Sequence, residues 1–172
     1  MTNSELEQLI RENGTAIYSF CRHLTCHVQE AEDLYQDTFL KAIELGTLKA
    51  GSNPKSCLLA IAVNIWKNRK RKFAWRRRIT EEKALPEQSD PHYCIWMEPS
   101  PEAQVLKEEE QKIIRRLVDD LPEKFRVVVL LYYMEELSVP QISKVMKLPE
   151  GTIKSRLHKA RKLLEQELSG YQ

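Results

Sequence analysis

Apolar residues recur at helical spacing along most of the chain. Over residues 4–26, Leu6, Leu9, Ile10, Ala16, Ile17 and Phe20 make a stripe that predicts a first amphipathic helix. A second is predicted over about 29–45. Its inner face is Ala31, Leu34, Tyr35, Thr38, Phe39 and Ala42, and its outer face holds Glu30, Asp33, Gln36 and Asp37. The stretch GTLKAGSNPKS (46–56) interrupts the pattern with two Gly and a Pro and reads as a loop. A third helix follows over about 54–72, with Leu58, Ile61, Ala62 and Ile65 inward. Periodicity is lost over 79–101, where four Pro in LPEQSDPHYCIWMEPSP argue for an extended linker. It returns over 102–120 through Val105, Ile113, Leu117 and Val118. The run VVVLLYY is strand-like by propensity, but its flanks and helical neighbourhood predict a buried helix with Pro122 at its first position. A short helix, SVPQISKVMK, opens with a capping-box pair, Ser138 and Gln141. After the turn LPEG, residues 151–168 form the last helix.

The predicted architecture is therefore all-α: a helical domain over 1–78, a linker over 79–101 and a second helical domain over 102–172. The scarcity of Gly (5 in 172 residues) fits it. No apolar run approaches the ~20 residues of a membrane span, and the first residues lack the basic and apolar regions of a secretory signal. A cytoplasmic protein with reduced thiols is the expectation.

Charge changes the picture more than composition does. The net charge is only +2, yet it is segregated. Residues 1–47 carry eight acids against three bases, whereas 67–78, KNRKRKFAWRRR, carry eight bases and no acid. Residues 154–162 add five bases without an acid. Two separate basic patches point to two contacts with a polyanion.

The second patch has the form of a helix-turn-helix. Ile153, Leu157, Ala160 and Leu164 make one apolar stripe. The opposite side carries Ser155, His158, Lys159 and Lys162, flanked by Lys154, Arg156 and Arg161, with Thr152 near the helix start. A short capped helix and a tight turn precede it, the spacing that lays a second helix in the major groove. Lys and Arg neutralise phosphates and read guanine edges, and small Ser155 permits close approach. A solvated basic helix is the plain alternative, which the capped helix and turn disfavour.

Other chemistry is sparse. Cys21, His23, Cys26 and His27 are zinc-ligand types, but on one helix they point in different directions and match no standard finger. No phosphate-cradling Gly loop, HExxH motif or nucleophile–base pair is visible, so no cofactor, metal or enzymatic activity is expected.

The segment LPEKFRVVVLLYYMEELSVPQISKVMKLPEGTIKSRLHKARKLL resembles the C-terminal promoter-binding domain of sigma-70-family initiation factors, above all in Gly151–Leu157 and Ala160–Arg161. AEDLYQDTFLKAI (31–43) resembles the acidic helix of that family's N-terminal domain, and LLAIAVNIWKNRKRK (58–72) its promoter-melting helix. Two domains with only a linker between them resemble the extracytoplasmic-function (ECF) group. The resemblance implies that Asp33, Gln36, Asp37 and Phe39 dock on core RNA polymerase. It implies that the 46–56 loop, with Asn53, captures a flipped base of the −10 element. Asn64, Lys67, Asn68, Arg71 and Lys72 would hold the single strand. Thr152, Lys154, Ser155, Arg156, His158, Lys159 and Lys162 would read the −35 element. The acidic linker would thread toward the RNA exit path, and an anti-sigma factor is an implied partner. The family often has Trp, Arg and Asp where Cys57, Val63 and Asn68 stand here. A stand-alone helix-turn-helix regulator is the alternative, and an RNA-binding protein using the 67–78 patch a weaker one; neither needs the acidic helix.

Overall fold

The computed structural model describes residues 2–46, 53–80 and 105–171. Among them lie seven α-helices, one π-helical turn and no strand, in line with the all-α expectation. The chain divides into two compact units, one holding described residues 2–80 and the other 105–171.

In the first unit α1 (Asn3–Thr25), α2 (Val28–Leu45) and α3 (Pro54–Thr80) each pack on the other two. A capping box sets the start of α1. The backbone N–H of Thr2 donates to Glu5 Oε2 at 2.8 Å, and the N–H of Glu5 donates to Thr2 Oγ1 at 3.3 Å. Cys26 ends α1 in the left-handed region, and Gly46 ends α2 at φ 55, where the absence of a Cβ removes the steric penalty. The core is made by Ile17, Phe20, Leu24, Ala31, Leu34, Leu58, Leu59, Ala62 and Val63, all with no exposed surface. Each buried aliphatic side chain contributes about 1.5–3 kcal/mol relative to exposure. Thr38 is buried on α2 and satisfies its hydroxyl by donating to Leu34 O at 2.6 Å.

The end of α3 corrects the sequence reading. The helix does not stop near 72 but runs to Thr80, so the linker starts no earlier than 81. Residues 71–80 are all exposed and bury no stripe, so they give no periodic signal. Residues 73–80 contain no Gly or Pro, so nothing local ends the helix. The rest of the expected linker lies outside the described residues, as does the 47–52 part of the loop.

In the second unit α4 (Val105–Asp119) leads to α5 (Glu123–Val129), which passes directly into a π-helical turn (Leu130–Met134). Pro122 caps α5 rather than opening it: its carbonyl accepts from the N–H groups of Phe125 and Arg126, both at 2.9 Å. Every residue from Phe125 to Leu131 is buried, which explains why the run has no polar face. Arg126 lies in this buried rod and caps the end of α4. Its Nη1 donates to Asp119 O at 2.9 Å and Leu121 O at 3.3 Å. Leu121, Phe125, Val129 and Ala160 form a buried apolar cluster of this unit, with Val118, Leu163 and Leu164 packed against them. Helices α6 (Val139–Met146) and α7 (Glu150–Ser169) close the unit, α7 against α5 and α6 against α7.

Candidate nucleic-acid interface

The capping box expected for α6 is formed. The N–H of Ser138 donates to Gln141 Oε1 at 2.8 Å, and the N–H of Gln141 donates to Ser138 Oγ at 3.3 Å. Lys147 ends the helix at φ 55, and the N–H of Leu148 returns to Ser143 O at 3.2 Å. Pro149 then launches α7, its carbonyl accepting from Thr152 and Ile153. Three residues separate the two helices, a helix-turn-helix.

Burial of Ile153, Leu157 and Ala160 fixes the rotation of α7. Lys154, Ser155, His158, Lys159 and Lys162 are consequently exposed together on the far side, with Gly151 at the head of the same stripe. Thr152 and Arg156 are half-buried at its edge. Arg161 is a different case. It donates from Nε to Tyr133 Oη at 2.6 Å, and its guanidinium lies 5.9 Å and 5.7 Å from the ring centres of Tyr132 and Tyr133. The hydrogen bond to Tyr133 pushes its pKa further up. A side chain that counts as one more base in the sequence thus ties α7 to the π-helical turn. Only the tertiary pairing reveals this.

On α2, Asp33, Gln36 and Asp37 are exposed on one outward face, and Leu40 lies among them with 58% of its surface exposed. Phe39 does not share that face. It is 6% exposed and packs edge-on against Tyr35, whose own ring meets Tyr18. Direct docking by Phe39 is therefore corrected: α1 and α2 use it as core. Periodicity had already placed it on the inner face. Leu40, an apolar residue off that inner stripe, is the signal the sequence reading passed over.

The basic helix faces two ways. Asn64, Asn68, Arg71 and Lys72 are exposed, and Lys67 is half-buried. Asn68 Oδ1 accepts from Arg71 Nη2 at 3.2 Å. Arg69 turns to α2 instead and pairs with Asp37. Asn53 is exposed at the start of α3, where its Oδ1 accepts from the N–H of Lys55 at 3.1 Å and its carbonyl from Cys57. Cys21, His23 and Cys26 are buried while His27 is exposed. Among the described residues no three His, Cys, Asp or Glu side chains gather as metal ligands, and no helix is long and apolar enough to cross a membrane.

Comparison with known proteins matches each unit to a family model. Residues 9–77 match Sigma-70 region 2, and residues 111–164 match Sigma-70, region 4. The ECF RNA polymerase sigma factor SigW of Bacillus subtilis is 30% identical over 154 residues, covering 88% of this chain and 82% of the relative. The RNA polymerase sigma-H factor of Pseudomonas aeruginosa is 32% identical over 145 residues, covering 81% and 74%. In fold, the chain is similar to the sigma factor RpoE from Bartonella quintana, solved in complex with the anti-sigma factor NepR. The TM-score is 0.71 at 24% identity, over 96% of this chain and 97% of that one. With region 2 on the acidic and basic helices, region 4 on the helix-turn-helix and relatives that align along most of their length, the chain belongs to the ECF group of the sigma-70 family of RNA polymerase sigma factors.

Proposed function

We propose that the chain binds core RNA polymerase through the outer face of α2, holds −10 DNA along α3 and reads −35 DNA with α7. Polymerase then initiates at a defined class of promoters. The observation that carries this reading is the order of the two family matches on two separately folded units. One supplies an acidic face and a basic helix, and the other a groove-reading helix. An acidic surface with one exposed leucine suits a basic helical partner, since charge guides encounter and apolar burial holds the complex.

For DNA, division of labour follows from chemistry. Lys154, Lys159 and Lys162 neutralise phosphates, while Ser155 and His158 stand at the centre of the stripe where base edges come within reach. On α3, Lys67, Arg71 and Lys72 attract the backbone, and Asn64 and Asn68 offer hydrogen bonds to bases already unpaired. The phosphodiester chemistry belongs to the polymerase, and this chain contributes binding and positioning alone. It acts in the cytoplasm, where polymerase and promoters are. Since a sigma factor of similar fold is solved in complex with an anti-sigma factor, an anti-sigma factor is the partner that restrains this chain.

Gel filtration with purified core polymerase tests the docking step. Co-elution at one-to-one stoichiometry is the expected result. Separate elution, together with tight binding of duplex DNA by the protein alone, would favour a stand-alone regulator.

A further inference from the structure

The side of α3 turned away from Asn64, Asn68 and Arg71 has its own chemistry. Trp66, Arg69, Phe73 and Arg76 follow one another there at steps of three, four and three residues, so they share a face. They meet α2 across a cleft of about 450 Å³. Buried Trp66 and Leu34 form its floor, and Phe73, 61% exposed, stands at its mouth. Charge around it is one-sided: Arg69, Lys70, Lys72 and Arg76 line it against one acid, Glu30. Arg69 is paired with Asp37, which leaves Arg76 at the mouth beside Phe73. Trp66 is 7% exposed, and its indole N–H meets no acceptor among the described residues. A buried donor left in that state costs about 1–3 kcal/mol, which an acceptor brought in at this wall would return.

We propose that this cleft is a binding site for a small aromatic anion, a planar ring system that bears a phosphate or a carboxylate. Size points to a small molecule, since a volume of about 450 Å³ falls in the range of ligand pockets, roughly 300–1,000 Å³. The walls supply what such a molecule needs. Trp66 and Phe73 offer aromatic surface to the ring, and Arg76 and Lys70 offer charge to the anion. Glu30 can accept from an amino or hydroxyl group on the ring. A neutral apolar ligand would leave the bases unused, and a simple inorganic anion would leave the aromatic floor uncovered. The site lies on the opposite side of α3 from the residues read as holding −10 DNA, so it stands or falls independently of that reading.

The test uses the full chain and a fluorescent aromatic anion, 8-anilino-1-naphthalenesulfonate, with its neutral relative N-phenyl-1-naphthylamine as control. The anionic dye should bind saturably at one site per chain, and the neutral dye far more weakly. Phe73→Ala and Arg76→Glu should each weaken the anionic dye about ten-fold, the loss of roughly one such contact. Arg78→Glu makes the same charge change roughly opposite Arg76 on the helix and does not line the cleft, so it should alter binding less than about two-fold. All three positions are exposed, and unchanged melting would confirm that the fold is kept. Competing the dye with ATP or with salicylate identifies the anion: displacement by ATP indicates a phosphate, and displacement by salicylate a carboxylate. Displacement by neither would overturn the proposal. So would the absence of saturable binding, equal affinity for the neutral dye, or an equal loss in Arg78→Glu, which would mark a diffuse attraction to the basic helix.

Discussion

Gly151 stands at the head of the exposed stripe of α7, and a Cβ built there would meet nothing within 4 Å. Its backbone is helical rather than left-handed, so the fold itself does not require glycine. Alanine there should leave the protein as stable or up to ~1 kcal/mol more stable, by helix propensity. If the first turn of α7 lies against DNA, Gly151→Ala should nevertheless weaken −35 duplex binding several-fold. Thermal unfolding beside a duplex titration separates the two effects, and undiminished binding would place the close approach elsewhere. Arg126 is the opposite case, a charged residue spent wholly on the fold. Removing it leaves the Asp119 and Leu121 carbonyls without their cap. Arg126→Ala should therefore cost about 2–4 kcal/mol in urea unfolding, with a loss below 1 kcal/mol contradicting the capping role. The sequence shows Arg126 and Arg161 only as bases. Their partners are seven and twenty-eight residues away, so no local pattern could assign them to α4 and Tyr133.

Helices that bury one stripe were legible from periodicity, and those that do not were only partly so. The α6–α7 pair could be read because Ser138 and Gln141 mark a start and Ile153, Leu157 and Ala160 mark an inner face. The π-helical turn could not: it begins at buried Leu130 and Leu131 and ends beside exposed Tyr133, and no periodic stripe distinguishes it from the α-helix before it. The tail of α3 was missed for the converse reason, since it buries nothing. At the same scale, the Asp37–Arg69 pair links the acidic face of α2 to the basic helix. Both side chains are substantially exposed, so the pair contributes at most about 1 kcal/mol to stability. Asp37→Arg should thus fold normally by circular dichroism and melting, yet lose binding to core polymerase. Retained co-elution would remove α2 from the docking surface.

Across the whole molecule, a net charge of +2 conceals what the chain does, because opposite charges are held on different helices. Acidic α2 would repel DNA and suit a basic protein surface, whereas basic α3 and α7 would attract a polyanion and keep Asn64, Asn68, Ser155 and His158 exposed. The family could be read from motifs in both units. Base-level specificity could not, because the loop expected to take a flipped base lies largely outside the described residues and Asn68 departs from the common pattern. The central claim is that these surfaces act together on polymerase. Run-off transcription on genomic DNA fragments tests it most directly. Core polymerase supplemented with this chain should yield a small set of discrete transcripts, each from a fixed start point, that are absent with core alone. A transcript pattern identical with and without the chain, despite its binding to duplex DNA, would contradict the account.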